Sequence, residues 1–222
     1  PLANRVFSPG STIIYRGTQA LYMGSGHPKN ADITTIIDNT AGVTLTQNTV
    51  LVHPLVLASG TLNIGSQVLT LNSTITTTGG TLGGTENSRL TIGGNEDGAV
   101  GTLPFSPAAS TLGILDINRA GTGVTVTIGA PLTIHSALNL VKGNLTNSST
   151  LTLRDGVTLT RYDLASLSGN RPVTVDGEVY HVTYRTHTPS GGPYAVMTTG
   201  SELPDNDFRL GNFNMILSQA LD

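Results

Sequence analysis

Apolar residues in the first half of the chain recur in pairs with one residue between the two members. Each pair predicts a β-strand of about four residues whose alternate side chains point the same way. Turn-forming residues separate the pairs, namely Asn48, Pro54, Gly60 and Gly65. The paired residues are Val43/Leu45, Val50/Val52, Leu55/Leu57, Leu62/Ile64 and Leu69/Leu71.

These pairs follow one another too closely for hairpins with strands of ordinary length. Three such strands and their corners make a turn of about 20 residues, which falls within the range of solenoid repeats. We therefore predict an all-β fold, a parallel β-helix-like solenoid with short strands, in which each strand pairs with its equivalent one turn away. The paired residues would face inward, and Thr44, Thr46, Asn63 and Thr70 would face outward. No segment shows a helical period.

The chain also contains an internal duplication. GVTLT at residues 42–46 matches GVTVT at 123–127, and LTL at 69–71 recurs at 151–153. We divide a single solenoid domain, residues 1–222, into an N-terminal coil region (1–41), a first repeat unit (42–108), a second repeat unit (109–175), and a hairpin insertion with the start of a third unit (176–222).

A longer motif consists of a short strand, a polar and glycine-containing corner, and a second strand. It occupies residues 109–128 and recurs at 31–46 and, in blurred form, at 208–221. The third copy stops at Asp222, where the first copy continues into core strands. We therefore expect a truncated last coil whose unpaired edge invites pairing with another chain. Because the sequence begins with Pro1, we expect a mature product or a fragment.

Two regions break this regularity. Between residues 79 and 108, glycine and proline are frequent, and we predict a strand at Arg89–Ile92 followed by a protruding loop at 93–107. Asp176-Gly177 lies between Pro172–Val175 and Glu178–Tyr184, which is a hairpin signal. We expect longer, partly antiparallel strands in this second region.

Composition narrows the class of protein. Only 11% of the residues are charged, whereas about 25% is usual, so Thr, Ser and Asn must cover much of the surface. Cysteine is absent, which excludes disulfides and thiolate metal sites. The net charge of -3 provides no basic face for nucleic acid, and no apolar run approaches the ~18 residues of a membrane span. We expect an extracellular or cell-surface protein.

The motifs resemble repeats in large secreted surface proteins of Bacteroidetes. They include LDIN at 115–118, GVTV at 123–126, LNL at 138–140 and LTL at 151–153, and TTGSELP at 198–204, which leads into the next unit. The resemblance covers nearly the whole chain. It implies an exported, cell-surface or filament-forming β-solenoid, often adhesive, and it carries over no catalytic residues.

Histidines are the first candidates for chemistry. His53 and His135 occupy matching positions in the two repeat units. At ~4.8 Å per turn the four turns between them span about 19 Å, which is too far for a shared metal, so we interpret both as corner residues. His181 and His187 flank the predicted hairpin, where surface packing is the simpler interpretation.

Carboxylates form two clusters, Glu96-Asp97 and Asp205-Asn206-Asp207. Enzymes that cleave polysaccharides need convergent acidic groups for acid–base chemistry, and acidic residues do not recur here at the spacing of a turn. The second cluster offers oxygen ligands of the kind that calcium uses, but it has neither a glycine at the turn nor a distal glutamate, so we interpret it as a solvated loop. The threonine-rich outer faces suit ice or glycans, and also suit ordinary strands. A further group of aromatic residues near the two ends consists of Tyr15, Tyr22, Tyr180, Tyr184 and Tyr194.

We therefore predict a non-enzymatic structural module of an extracellular fibre or cell-surface adhesin that assembles end to end through the edges of the solenoid. We assign no catalytic, cofactor-binding or metal-binding residues. Two alternatives stay open. One is a polysaccharide-active β-helix enzyme with Glu96 and Asp97 as its candidates, and the other is a carbohydrate- or ice-binding module. The expected partners are further copies of the chain and surface glycans.

Overall fold

The computed structural model describes residues 7–28, 32–147, 149–154, 157–168, 172–175, 178–184, 193–198, 208–210 and 213–219. Within these residues every regular element is a β-strand. None of them belongs to a helix that is long and apolar enough to cross a membrane.

The strands follow one another closely along the chain. In order they are β1 (Ser11–Gly17), β2 (Leu21–Met23), β3 (Ile33–Asn39), β4 (Val43–Leu45), β5 (Thr49–Leu51), β6 (Leu55–Ser59), β7 (Thr61–Asn63), β8 (Val68–Leu71), β9 (Ile75–Thr77), β10 (Thr81–Gly84), β11 (Arg89–Ile92), β12 (Ala99–Leu103), β13 (Phe105–Asn118), β14 (Thr125–Ile128), β15 (Leu132–Asn147), β16 (Leu151–Leu153), β17 (Thr158–Ser168), β18 (Pro172–Val175), β19 (Glu178–Tyr184), β20 (Pro193–Thr198), β21 (Phe208–Leu210) and β22 (Phe213–Gln219).

Parallel pairing winds these strands into a β-solenoid of about six turns, which confirms the predicted fold. A turn has three faces. The first face begins with β1, β3, β6 and β9, the second with β2, β4, β7 and β10, and the third with β5, β8 and β11. The long strand β13 passes round a corner, pairing with β10 on the second face and then with β11 on the third.

The core is a stack of aliphatic side chains inside the winding. Leu55 and Leu57 of β6, Leu62 of β7, and Leu69 of β8 are fully buried. Burying an aliphatic side chain stabilises the fold by about 1.5–3 kcal/mol relative to leaving it exposed. Strands of only three to five residues therefore build a stable core when their turns stack. Eight of the ten predicted inward residues are buried in this way.

The prediction for β5 was wrong by one residue. Thr49 and Leu51 face inward and are buried, whereas Val50 is 37% exposed and Val52 is half-buried. The sequence V-L-V fits either phase of a two-residue alternation. A hydrogen bond at the preceding corner favours the observed alternation. Oγ1 of Thr49 donates to the carbonyl oxygen of Gln47 at 3.1 Å, so the Thr49 side chain faces inward.

The prediction of a protruding loop at 93–107 was also wrong for the second half of that range. Residues 99–107 form β12 and the start of β13, and Val100, Leu103 and Phe105 are buried in the core. An irregularity between Ala99 and Gly101 shifts the register against β14. The inward residues Val100 and Leu103 are therefore three positions apart, and the two-residue alternation that marks a strand is lost.

The duplicated segments lie on different faces of the solenoid. GVTLT at 42–46 contains β4, on the second face, whereas GVTVT at 123–127 overlaps β14, which follows β12 on the first face. Similarly, LTL at 69–71 is on the third face and LTL at 151–153, which is β16, is on the second. The sequence repeat is therefore not a whole number of turns.

Parallel stacking gives way to antiparallel pairing after β18. Strands β18 and β19 pair antiparallel, as the Asp176-Gly177 signal predicts, although Asp176 and Gly177 lie outside the described residues. Strand β20 pairs antiparallel with β17. The third copy of the long motif contains β21 and β22, which also pair antiparallel, and β22 pairs with β19 on its other side. This copy does not begin another parallel turn.

Candidate functional site

The two candidate histidines lie at different corners of the solenoid. His53 precedes β6 of the first face, and its Nε2 atom is 3.1 Å from Oδ1 of Asp32. His135 lies inside β15, where the strand leaves the second face, and its Nε2 atom is 3.4 Å from Oε2 of Glu86. His53 therefore contacts a carboxylate from the adjacent turn, and His135 contacts one from two turns away. This fits the corner role, and the structure does not place them at equivalent positions.

The two acidic residues of the enzyme alternative hold a corner together. Oε2 of Glu96 accepts a hydrogen bond from Arg119 at 2.9 Å, and Oδ1 of Asp97 accepts one from the backbone N–H of Thr122 at 2.6 Å. Gly121 allows this approach, because a Cβ atom there would overlap the carbonyl oxygen of Glu96. Glu96 and Asp97 thus bind the corner of the following turn.

Arg119 is the largest fully buried side chain in the described part of the chain. Its Nε donates to the carbonyl oxygen of Glu96 at 2.9 Å, and one terminal nitrogen donates to those of Asn72 and Ser73 at 2.9 and 3.3 Å. These acceptors belong to two preceding turns, so a single guanidinium ties three turns together. The sequence carried a signal for it, because Arg119 continues the alternation of the buried residues Leu115 and Ile117.

A polar row runs along the outside of the third face. Strand pairing places Thr70 beside Thr91, Thr91 beside Asp116, Asp116 beside Asn139, and Asn139 beside Thr160. The row therefore crosses five successive turns, at about 4.8 Å per turn. Of the residues predicted to face outward, Thr70 belongs to this row and begins it. Its centre combines a carboxylate and an amide.

Asp116 lies at the centre of the row and is nearly enclosed, with a side chain that is 7% exposed. Its Oδ2 atom accepts hydrogen bonds from Nε of Arg89 at 2.6 Å and from Oγ1 of Thr91 at 3.0 Å. Its Oδ1 atom accepts one from Nδ2 of Asn139 at 2.7 Å. Three strands thus converge on one carboxylate and fix its orientation.

A groove of about 360 Å³ opens over this carboxylate. We call it the Asp116 groove. It is lined by Arg89, Thr91, Asp116, Asn118, Asn139, Val141 and Thr160. All of these side chains except that of Val141 are polar. The sequence did not predict this groove, because its residues lie on four strands whose register depends on turns of unequal length.

The side chains that line the Asp116 groove determine which chemistry it can carry out. Glycosidic cleavage normally uses two carboxylic groups, and Asp116 is the one acidic residue that lines the groove within the described part of the chain. No group of three or more metal-ligating side chains lies together among those same residues. The groove presents hydrogen-bond donors and acceptors fixed in place, an arrangement suited to binding a polar ligand.

A second depression, of about 340 Å³, lies on the first turn beside Tyr15, Tyr22 and His27. Oη of Tyr15 and Nδ1 of His27 are 3.1 Å apart. Burial raises the pKa of Tyr15 to about 12 and lowers the pKa of His27 below its usual range. Both groups are therefore uncharged at neutral pH, so they pack here as a neutral pair. Tyr22 is 70% exposed.

The remaining candidates lie where no side-chain geometry is described. Tyr180, Tyr184 and His181 belong to β19, and Tyr194 belongs to β20. His187 and the cluster at 205–207 fall outside the described residues. The interpretations of these residues, including that of the cluster at 205–207 as a solvated loop, stay predictions.

Comparisons with protein-family models, with curated proteins and with solved structures find no match to this chain.

Proposed function

We propose that this protein is a non-enzymatic structural module of an extracellular fibre or a cell-surface adhesin. Support comes from the uninterrupted stack of buried aliphatic side chains, tied across turns by Arg119. Such a rod spreads its stabilising contacts along its whole length, as in other repeat architectures. The low charge and the resemblance to secreted bacterial surface repeats favour an exported protein.

The first turn offers the surface for end-to-end assembly. Strand β1 pairs with β3 on one side, and no other described strand pairs with it. Ile13 and Tyr15 of β1 are half-buried, whereas Thr35 and Ile37, their neighbours on β3, are fully buried. A further turn stacked on β1 would bury these side chains and pair its backbone. We propose that a second copy of the chain supplies this turn.

Sedimentation velocity over a range of concentrations, with electron microscopy of the same samples, tests this assembly. We expect oligomers that grow with concentration and rods in the micrographs. Ile13→Lys should shift the protein to monomer, because it places a charge where the next turn would stack. Ile14→Lys is the matched control, because Ile14 is 46% exposed on the outer side of the same strand.

The two variants are compared only if their circular dichroism spectra match that of the unmodified chain. A chain that stays monomeric at every concentration would show that end-to-end assembly is wrong. Equal disruption by both substitutions would show that β1 does not make the contact through its inward side chains.

A further inference from the structure

We propose that the Asp116 groove binds a segment of an acidic polysaccharide, with a sugar carboxylate held by Arg89. The inference deepens the adhesin role and rests on it for its biological setting, but it concerns a site on the side of the solenoid, away from the end that would assemble. Four observations carry it: the fixed floor, the outward guanidinium, the balance of charge, and the linear arrangement of polar groups.

The floor of the groove is preorganised. Asp116 is held by three side chains from β11 and β15, at 2.6, 3.0 and 2.7 Å. The partners are therefore fixed as well, because each has committed one donor to a nearly buried carboxylate. A ligand meets polar groups that lose little freedom on binding, which is the condition for useful affinity at a small polar site.

Arg89 provides the anion-binding group. Its Nε atom is used by Asp116, its side chain is 47% exposed, and no described residue accepts a hydrogen bond from its two terminal nitrogens. A guanidinium presents paired donors that match the two oxygens of a carboxylate. The bond to Asp116 keeps the guanidinium in the lining of the groove, where a bound anion can reach it.

The local charge favours an anion over a cation. Within the groove, one cation, Arg89, balances one anion, Asp116, and the anion lies beneath it with 7% of its side chain exposed. Lys142 follows Val141 along the chain and pairs through its backbone with Asn118, but it does not line the groove. The charge that the lining exposes to a ligand is therefore mainly that of Arg89, although the chain as a whole carries a net charge of -3.

The remaining groups favour a saccharide as the carrier of that carboxylate. Thr91, Asn118, Asn139 and Thr160 present hydroxyl and amide groups along the axis of the solenoid, about 4.8 Å apart from turn to turn. Sugar rings carry hydroxyls at every step and can bond to such a row. A peptide would need apolar recesses for its side chains, and Val141 is the single apolar residue of the lining.

Calorimetric titration of the full chain tests the proposal, with oligogalacturonate as the acidic probe and its methyl ester as the neutral one. We expect the acid form to bind and the ester to bind at least about tenfold more weakly, since a hydrogen bond to a charged group contributes about 1.5–3 kcal/mol. Arg89→Ala should weaken binding of the acid form to the same extent. Added salt should weaken it further.

Arg16→Ala is the matched control, because Arg16 forms the same kind of pair with Asp38, at 2.7 Å, on the first face. It should leave binding unchanged. Asn118→Ala, at an exposed position, is a second groove variant and should weaken binding without touching Asp116. Absence of binding, equal affinity for acid and ester, or equal loss in Arg89→Ala and Arg16→Ala would each overturn the proposal. Binding by a chain that remains monomeric would leave the groove intact and disprove only the assembly.

Discussion

Two parts of the solenoid reach the same buried core by different means. Between residues 33 and 92 the turns are nearly equal in length, and Thr61 and Thr81 on successive turns, 20 residues apart, share a hydrogen bond of 2.9 Å. Between residues 93 and 147 the turns are longer, β13 and β15 run round corners, and the registers of β12, β13 and β15 are interrupted. The first part is regular, and the second is held by specific side chains.

The difference shows what alternation alone can specify. In the regular part, inward and outward positions follow the sequence with one exception, because short strands of nearly equal spacing stack with one register shift, between Ile37 and Asp38. In the irregular part, extra residues enter the corners, and backbone groups at those corners need partners. Arg119 donates to the carbonyl group of Glu96 at such a corner, and to those of Asn72 and Ser73 at the adjoining corner of the regular part, because buried backbone groups need partners. Without these acceptors, the buried guanidinium of Arg119 would be costly.

The largest expected effect therefore belongs to Arg119. Arg119→Met should destabilise the chain by about 3–5 kcal/mol, because it leaves the Glu96 carboxylate and three backbone carbonyl oxygens, of which that of Ser73 is buried, without their donor. Arg16→Met should cost much less, because the pair that Arg16 forms with Asp38 is exposed to solvent. Urea unfolding followed by circular dichroism measures both.

The outcome would sharpen the contrast between the two parts of the chain. If the free energy of unfolding of the Arg119→Met variant lies within about 1 kcal/mol of that of the unmodified chain, the stability of the corner does not depend on the guanidinium. Glu96→Gln separates the contributions, because it retains the side chain as an acceptor while removing its charge. It should cost less than Arg119→Met, since Glu96 is 46% exposed.

A second prediction tests the phase of β5 in the regular part. Leu51→Ala should cost about 2–4 kcal/mol, because it removes a buried side chain and leaves a cavity. Val50→Ala should stay within about 0.5 kcal/mol, because Val50 faces outward. The two residues are adjacent, so the comparison controls for local strand propensity. Equal losses would show that both side chains pack in the core, contrary to the structure.

Much of the fold was predictable from the sequence, because a solenoid repeats one local rule. Pairs such as Leu55/Leu57 and Leu69/Leu71 mark both the strands and their inward faces. The failures fall where that rule is ambiguous or interrupted. At Val50 the apolar run fits two phases, and after Ala99 a shift in register moves the next inward residue out of step.

The Asp116 groove could not be predicted for a related reason. Asp116 lies between Leu115 and Ile117, so its outward direction follows from alternation. The residues that lie beside Asp116 on the adjacent turns do not follow from alternation, because their identity depends on the number of residues in each corner. Arg89 and Asn139 reach Asp116 only because β11, β13 and β15 align in one register, and a change of one residue in either corner would place different side chains together.

The smallest difference is expected between two glycines of the irregular part, Gly101 and Gly98. Gly101 has a φ of 117°, and a Cβ atom there would overlap the carbonyl oxygen of Ile75 on the turn before. Gly98 has a φ of 82° with open space around its Cβ position. Gly98→Ala should therefore cost about 1 kcal/mol from backbone conformation alone. Gly101→Ala should cost about 1–3 kcal/mol more, since β12 must move away from β9.

This pair of substitutions isolates close packing between turns from conformational strain, because both glycines have positive φ and differ in what surrounds them. Midpoints of urea unfolding measure the difference. Equal losses would mean that β12 can shift away from Ile75 at no cost, and the start of the irregular part would then be loosely packed. A larger loss of stability for Gly101→Ala would show that the irregular turns are packed as closely as the regular ones, although the sequence of the irregular turns lacks the two-residue alternation that predicts such packing.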